Sequence, residues 1–158
     1  MLTGKIKPLD KIDKVILSTL QKFGRISNVE LAKKVNLSAS PCLDRVKRLE
    51  NEGYIERYGA FLNANKLNYG MTAFIHVTLD RTTTDVFKLF KAEVVKIKEV
   101  VECNLIAGGY DYLLKIRFGG MDGYRLVLEK VSALPSISLT QTYIVTEHIK
   151  QDSGVPFD

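Results

Sequence analysis

The chain has 158 residues, of which 46% are hydrophobic and 26% are charged, and its net charge is +5 at pH 7. This length allows one domain or two small ones, and the composition is that of an ordinary globular protein. No apolar run approaches the ~20 residues of a membrane span, and residues 1–5 lack the apolar core of a secretory signal. We therefore expect a cytoplasmic protein.

The cysteine and histidine pattern argues against a metal site or a disulfide. Cys42 and Cys103 lie in different predicted units, and His76 and His148 are far apart in the sequence. These spacings match no zinc motif and no disulfide framework. We expect no metal and no cofactor.

The positive charge is concentrated in the first part of the chain. Residues 1–62 contain 12 Lys or Arg and 7 Asp or Glu, whereas residues 63–158 contain 11 of each kind. A basic surface is usually only a solvated face. Here it coincides with the helical pattern described next, and this favours a domain that binds phosphates.

Two helices are predicted at the start of the chain. The first spans residues 10–23, with Asp10 as N-cap and Gly24 at its end, and its apolar stripe is Ile12, Val15, Ile16, Leu20 and Phe23. The second begins at Asn28, because Ser27 and Glu30 have the spacing of a capping box. Its buried residues are predicted to be Val29, Leu31, Ala32 and Val35.

A sharp turn and a third, basic helix follow. Asn36 tolerates the left-handed conformation that a tight turn needs, and Ser38 or Ser40 can cap the next helix. Leu43, Val46 and Leu49 recur at helical spacing, which indicates a buried face. Gly53 is placed to end this helix. Two short helices about a tight turn form the helix-turn-helix motif, whose second helix enters the major groove.

The candidate DNA contacts lie on this third helix. Arg can read guanine bidentately, and hydroxyl groups near a helix N-terminus suit phosphates. Because one face must be buried, one of the three cations is free to point sideways, and Asp44 can equally form a salt bridge within the domain. The candidate residues are Ser38, Ser40, Pro41, Asp44, Arg45, Lys47 and Arg48.

Residues 54–62 are predicted to form two short strands, a wing, so residues 1–62 form a winged helix-turn-helix domain. Residues 63–70 are polar and are predicted to form a linker. The remaining residues, 71–158, contain two predicted helices, beginning near residues 82–85 and at 121, and strands at 71–79, 100–107, 112–118 and 137–149. On the second strand, Val101, Cys103 and Leu105 are predicted to share one face.

The predicted order strand-helix-strand-strand-helix-strand is that of a ferredoxin-like βαββαβ domain, so the chain as a whole is α+β. Two helices cover only one face of such a sheet. A second copy packed against the other face is the simplest cover, and we expect at least a homodimer.

These motifs resemble those of the leucine-responsive regulatory protein (Lrp/AsnC) family of transcriptional regulators, over nearly the whole chain. The matching stretches are residues 21–31, Leu37-Ser38, Pro41-Cys42-Leu43, Arg45-Val46, Arg48-Leu49-Glu50, Glu102-Cys103, Gly108, residues 111–115 and Thr142-Tyr143. Asn36 stands where the family often has Gly. Gly109 stands where the leucine-responsive relative has an acidic residue, which leaves one carboxylate fewer to bind an amino group.

The resemblance implies a regulator of transcription, not an enzyme, which binds double-stranded DNA and a small effector, commonly an amino acid such as leucine. It also implies dimers that assemble into tetramers, octamers or larger rings. The effector is expected between dimers, near the loop that joins the second and third strands. The candidate effector residues are Gly108, Gly109, Tyr110, Asp111, Tyr112, Thr140 and Thr142.

Three alternatives remain open from the sequence. Siroheme decarboxylases share this two-domain plan, but they need a tetrapyrrole pocket with basic and histidine residues. Tyr112 and Phe118 have the spacing of RNA-stacking residues on one strand, although the expected motif around them is absent. The third alternative is an architectural DNA-binding protein that needs no ligand.

Overall fold

The structure, a computed structural model, describes residues 8–151 and 154–157. These residues form two compact units: residues 8–61 with 154–157, and residues 62–151. Residues 154–157, expected with the second domain, therefore lie with the first unit. No helix in the two described ranges is long and apolar enough to cross a membrane.

The first unit contains the three predicted helices, α1 (Lys11–Lys22), α2 (Asn28–Lys34) and α3 (Ala39–Asn51). Asp10 and Ser27 cap α1 and α2, and each forms a complete capping box with the residue three positions later. The turn before α3 has Asn36 at φ 54°, and Gly53 follows α3 at φ 77°. The predicted start signals of α1 and α2, the turn and the end of α3 are confirmed.

The core of the first unit is narrower than the sequence predicts. Its buried residues are Ile16, Leu17, Leu31, Ala32, Val35, Cys42 and Leu49. Four residues of the predicted apolar faces are instead exposed: Val15, Phe23, Val29 and Leu43. That prediction was wrong because three short helices bury only a narrow stripe each, and these side chains lie on the flanks.

The predicted wing is not formed as a pair of strands. Between Gly53 and Asn65 the described backbone contains no strand. Tyr58 instead donates its hydroxyl to Glu50 at 2.8 Å, while Phe61 is 83% exposed. A two-stranded hairpin is only marginally stable by itself, and this segment has no third strand to support it.

The second unit is the predicted βαββαβ arrangement. Its elements are β1 (Met71–Leu79), α4 (Thr84–Val94), β2 (Val100–Leu105), β3 (Tyr112–Phe118), α5 (Gly120–Ser132) and β4 (Ile137–Ile144). The sheet is antiparallel, in the order β2-β3-β1-β4. The predicted topology is confirmed, although β2 ends two residues early and β4 five residues early.

The core of this unit lies between one sheet face and the two helices. The buried strand residues alternate along β1 and β3, and they are Ala73, Ile75, Val77, Leu79, Tyr112, Leu114, Ile116 and Phe118. On β2, however, Val101, Cys103 and Leu105 are all exposed. By the pairing register, Cys103 and Leu105 do share a face, since they pair with Leu114 and Tyr112. The prediction was wrong for Val101, because the register shift between Val100 and Glu102 pairs Val100 instead with Ile116.

The segment predicted as a linker is ordered against the second unit. It contains a 3₁₀ turn, Asn65–Leu67, followed by Asn68 in the left-handed conformation with φ 59°. A Cβ placed on Gly119 would lie 2.2 Å from the Asn68 carbonyl oxygen. This segment therefore packs directly on the backbone just before α5.

Candidate DNA-binding surface and effector loop

One face of α3 is fully open to solvent. Ser40, Asp44, Lys47 and Asn51 recur at intervals of four, three and four residues, so they form a single stripe along the helix. All four are exposed. Leu43, beside this stripe, is 39% exposed. These polar and apolar groups have the mixture that reads base edges and thymine methyl groups.

Three of the candidates lie at or near the start of α3. Ser38 is the N-cap, and its side chain makes no capping hydrogen bond within the described part of the chain. Ser38, Ser40 and Pro41 are exposed. The Ser38 and Ser40 hydroxyls therefore remain available for a phosphate at the helix N-terminus.

Arg45 and Arg48 are turned from the exposed stripe toward α1. The Arg45 Nη1 lies 2.6 Å from Asp10 Oδ2 and 2.8 Å from Asp13 Oδ1, and the Arg48 Nη2 lies 2.5 Å from Asp13 Oδ2. The Asp13 side chain is fully buried, whereas the two arginine side chains keep 28% and 22% exposure. The two cations are therefore paired with two carboxylates inside the unit.

The ion pairs change the proton affinity of these groups. The hydrogen bond from Arg45 lowers the pKa of Asp10 from 3.8 to about 2. Burial alone raises the pKa of Asp13, but its hydrogen bonds with the Asp10 backbone and Arg45 and its ion pair with Arg48 outweigh burial and lower it. The same contacts with Asp10 and Asp13 raise the pKa of Arg45. At neutral pH the cluster carries two positive and two negative charges, which cancel.

This cancellation leaves Lys47 as the unpaired cation on α3 among the described residues. The alternative salt bridge for Asp44 is not formed with any residue in the described ranges, and Asp44 faces solvent beside Lys47. Sequence reasoning missed Asn51 and Leu43 as members of the exposed face. The four-three-four spacing from Ser40 was the signal that identifies Asn51.

The turn between α2 and α3 is held by polar contacts. The Asn28 side chain donates to the Ala39 carbonyl at 2.8 Å, which joins the starts of the two helices. At the start of α2, Glu30 accepts hydrogen bonds from the Ser27 hydroxyl and backbone N–H, and these contacts lower the pKa of Glu30. The orientation of α3 is therefore fixed from α2 as well as from α1.

The loop between β2 and β3 is anchored by Asp111. Its carboxylate Oδ2 accepts a hydrogen bond from the Leu79 N–H at 2.7 Å. Its backbone N–H donates to the Val77 carbonyl at 2.9 Å, and its carbonyl accepts from Ile106 N–H at 2.8 Å. Asp111 thus connects the loop to the end of β1, and its other carboxylate oxygen accepts no hydrogen bond from the residues that the structure describes.

The two loop glycines lie in open space. A Cβ on Gly109 would meet nothing within 4 Å, and one on Gly108 would be 3.5 Å from the Ile106 side chain. Neither glycine is required by packing. Their backbone groups are open to a ligand.

The candidate effector residues do not all lie together. The Tyr110 ring stacks on His76 with centroids 3.8 Å apart, and Tyr143 lies 4.7 Å from the same histidine. These three rings lie on the sheet face without helices. Alternation along β1 and β4 places His76 and Tyr143 on this face. Tyr110 lies in the loop before β3, and no signal in the sequence showed that its ring joins them.

Tyr112, Thr140 and Thr142 belong to the opposite face. Tyr112 is 1% exposed and stacks on Phe90 with centroids 4.4 Å apart. Thr140 and Thr142 pair with Val77 and Ile75, whose side chains face the helices. These three residues are therefore separated by the sheet from the Tyr110 ring.

The structure also bears on the RNA alternative. Phe118, like Tyr112, is 1% exposed and belongs to the core between sheet and helices. Neither ring is free to stack on a base. That alternative is therefore wrong for these two residues. Within the described residues, moreover, no three potential metal ligands lie together.

Comparisons with known proteins agree with this two-part arrangement. Residues 9–56 match the family described as winged helix-turn-helix DNA-binding, and residues 72–155 match the family described as the Lrp/AsnC ligand binding domain. A leucine-responsive regulatory protein from Serratia marcescens is 48% identical over 157 residues, 97% of this chain and 96% of the relative. The chain belongs to the Lrp/AsnC family.

Solved structures of similar proteins support the fold of this Lrp/AsnC protein. A transcriptional regulator from Neisseria meningitidis in complex with L-Met is 39% identical, with a TM-score of 0.89 over 94% of this chain and 97% of that chain. The feast or famine regulatory protein from M. tuberculosis, complexed with L-methionine, is 27% identical, with a TM-score of 0.83 over 94% and 99%. This Lrp/AsnC protein is a ligand-modulated transcriptional regulator.

Proposed function

We propose that this protein binds double-stranded DNA through the exposed stripe of α3, and that an amino acid bound at the loop of residues 106–111 changes DNA binding or assembly. The observation that carries the DNA part is the stripe itself. Ser40, Asp44, Lys47 and Asn51 project from one helix face while the arginines of the same helix are paired internally. The protein acts as a cytoplasmic regulator and not as an enzyme.

The proposed assembly begins with a homodimer. On the sheet face without helices, Leu139 is 53% exposed and Tyr143 is 51% exposed. Burying such residues against a second copy removes apolar surface from water. A dimer presents two α3 helices to successive major grooves, about 10 base pairs apart or a multiple of that spacing. Tetramers or octamers would arrange several such pairs.

The proposed effector is an amino acid. Backbone N–H groups at Gly108 and Gly109 suit a carboxylate, and the second Asp111 oxygen suits an α-amino group. Two structural neighbours are complexes with L-methionine, and the Serratia relative is named for its response to leucine. Methionine and leucine are therefore the first two ligands to test, with Tyr110 as the adjacent ring.

The test uses DNA selected by the protein from a random duplex library. Its affinity is measured by fluorescence anisotropy at fixed salt, with and without each of the twenty amino acids. The proposal expects at least one amino acid to change the Kd, typically by 5–150-fold for a coupled system, which is about 1–3 kcal/mol. Tight binding that no amino acid alters would instead support the ligand-independent architectural protein.

A thermal-shift screen of the same amino acids measures ligand binding without DNA. A ligand that binds only the folded protein raises its Tm. Siroheme, or a related tetrapyrrole, is titrated in parallel while its absorption spectrum is recorded. A saturable change in the spectrum, together with loss of carboxyl groups from the tetrapyrrole, would favour the enzyme alternative over the regulator.

Lys47→Ala should weaken binding of all DNA sequences to a similar extent. Removing one phosphate contact reduces the slope of log Kobs against log salt concentration by about 1. The measurement is a salt titration of the anisotropy curve. Lys88→Ala is the matched control, because Lys88 is an exposed lysine on α4 in the other unit. An unchanged slope for Lys47→Ala would contradict its assignment.

Asp111→Asn should weaken amino-acid binding while leaving the fold intact. Asn keeps an oxygen that accepts from the Leu79 N–H, but it removes the charge that pairs with an α-amino group. Charge-assisted hydrogen bonds are roughly twice as strong as neutral ones, so we expect about tenfold weaker binding. Isothermal titration calorimetry measures it, with Asp80→Asn as control. If Asp111→Asn and the unaltered protein bind the amino acid with equal affinity, Asp111 is not part of the effector site.

A further inference from the structure

The end of the chain is attached to the first unit by specific contacts. The Gln21 side-chain amide on α1 donates to the Val155 carbonyl at 2.9 Å, and its oxygen accepts from the Val155 N–H, also at 2.9 Å. Phe157, two residues later, packs against the hydrophobic core of the same unit. One side chain therefore satisfies both backbone polar groups of a residue that is distant in sequence.

These contacts resemble the recognition of an extended peptide. Hydrogen bonds to main-chain groups supply affinity, and an apolar side chain supplies an anchor. Val155 itself is 65% exposed, so its side chain contributes little. Pro156, between the hydrogen-bonded residue and the anchor, has a fixed φ and no N–H that would need a partner. The segment is therefore recognised through its backbone hydrogen bonds and one aromatic side chain.

We propose that Gln21 and the adjoining core surface form a docking site for the chain's own C-terminal segment, residues 154–157, and that docking creates a second connection between the two units. The chain leaves the first unit near residue 61, forms the second unit through Gln151, and then returns. With the segment docked, the second unit is attached at both of its ends. With the segment undocked, only the connection near residues 61–62 remains.

We expect docking to be reversible. Its contacts include two exposed hydrogen bonds and one partly buried ring, and the closed loop costs conformational entropy. The covalent link keeps the local concentration of the segment high, so even weak contacts remain occupied. This regulatory role rests on the proposed function. A second connection transmits an effector-induced change in the ligand-binding unit to the DNA-binding unit more tightly than one connection does.

The absence of tryptophan from the sequence gives a direct probe of docking. In Phe157→Trp the emission comes from one indole at the docking site. We expect the emission to be blue-shifted and shielded from acrylamide in the folded protein. A spectrum and quenching constant equal to those of the denatured chain would overturn the docking site.

Two variants in the Phe157→Trp background remove the hydrogen bonds. Gln21→Ala removes both bonds, and Val155→Pro removes the N–H that donates to the Gln21 side-chain oxygen. Losing both bonds should lower the docking equilibrium constant by roughly tenfold, with a red shift and stronger quenching. Gln151→Ala is the matched control, because it truncates an exposed glutamine outside these contacts. If acrylamide quenches the tryptophan emission of Gln21→Ala and Gln151→Ala equally, the proposal of a docking site is wrong.

The regulatory part is tested by the ratio of DNA Kd values with and without the effector amino acid. Gln21→Ala should reduce this ratio by several-fold, while the Kd without effector changes little. If docking is lost but the ratio is unchanged, the segment docks without regulating. If the unaltered protein already shows a ratio of one, the proposed function fails, and the tryptophan experiment still decides the docking site.

Discussion

Asp13→Asn should destabilise the first unit more than any other single carboxylate change in it. Asp13 is fully buried and pairs with both Arg45 and Arg48. Removing one partner of a buried ion pair costs about 3–5 kcal/mol because the other charge is left unpaired. Here the arginines retain access to water, so we expect about 2–3 kcal/mol. Urea unfolding followed by circular dichroism measures this loss.

The control for Asp13→Asn is Asp44→Asn. Both substitutions change an aspartate to asparagine in the same unit, but Asp44 is exposed and unpaired among the described residues. We expect Asp44→Asn to change stability by less than about 0.5 kcal/mol. Equal losses for the two variants would mean that the ion-pair cluster does not hold α3 against α1.

The same cluster predicts how stability depends on pH. The Arg45 hydrogen bond lowers the pKa of Asp10 from 3.8 to about 2 in the folded protein, and the pKa of Asp13 is also lowered. A lowered folded pKa adds stability above the unfolded pKa, and this contribution disappears as pH falls through the folded value. The unit should therefore lose stability from about pH 4 toward pH 2. Asp13→Asn should flatten this dependence.

Asp13→Asn also separates two roles for the arginines in DNA binding. Arg45 keeps its pair with Asp10, whereas Arg48 loses its carboxylate partner among the described residues and becomes available to a phosphate. The slope of log Kobs against log salt should then become steeper by about 1, while discrimination between sequences falls. If the arginines already contact phosphates in the unaltered protein, the slope should not change. The salt titration therefore decides whether these cations read DNA or position the helix that does.

Local signals in the sequence specified most of the helices and strands. The capping boxes at Asp10 and Ser27, the left-handed Asn36 and Gly53, and the alternation along β1 and β3 each depend on residues close in sequence. The predictions for the wing and for the outer strand β2 failed because the structure of these segments depends on packing against residues that are not close in sequence. Phe61 and Leu105 are apolar, but nothing within a few residues determines what would cover them.

The candidate sites were predictable by location but not by orientation. The sequence predicted that Arg45 and Arg48 lie on α3. The direction of their side chains, however, is set by Asp10 and Asp13, some 35 residues earlier. Likewise, Tyr110 and Tyr112 are only two residues apart, but Tyr110 lies in the loop before β3. Strand alternation therefore does not place its ring, which stacks on His76, whereas Tyr112 stacks on Phe90 in the core. Distant ion pairs and strand register are not visible in local spacing.

Gly119→Ala should be the most disruptive glycine substitution in the second unit. The new Cβ would lie 2.2 Å from the Asn68 backbone oxygen and 2.7 Å from the Asn68 side-chain oxygen. The side chain can rotate away, but the backbone oxygen belongs to a left-handed residue that closes the 3₁₀ turn. Because the connection must shift as a whole, we expect a loss of about 2–3 kcal/mol, in the upper range for overpacking.

Gly109→Ala is the control, since a Cβ there meets nothing within 4 Å. It should change stability by less than about 1 kcal/mol. Unfolding of both variants is followed in urea, and amide hydrogen exchange of residues 64–70 reports whether the connection has left the start of α5. If Gly119→Ala is as stable as Gly109→Ala and the amide exchange is unchanged, residues 64–70 are not fixed against the start of α5. Faster exchange would show that Gly119, which no charge or hydrophobic pattern marks, positions the connection.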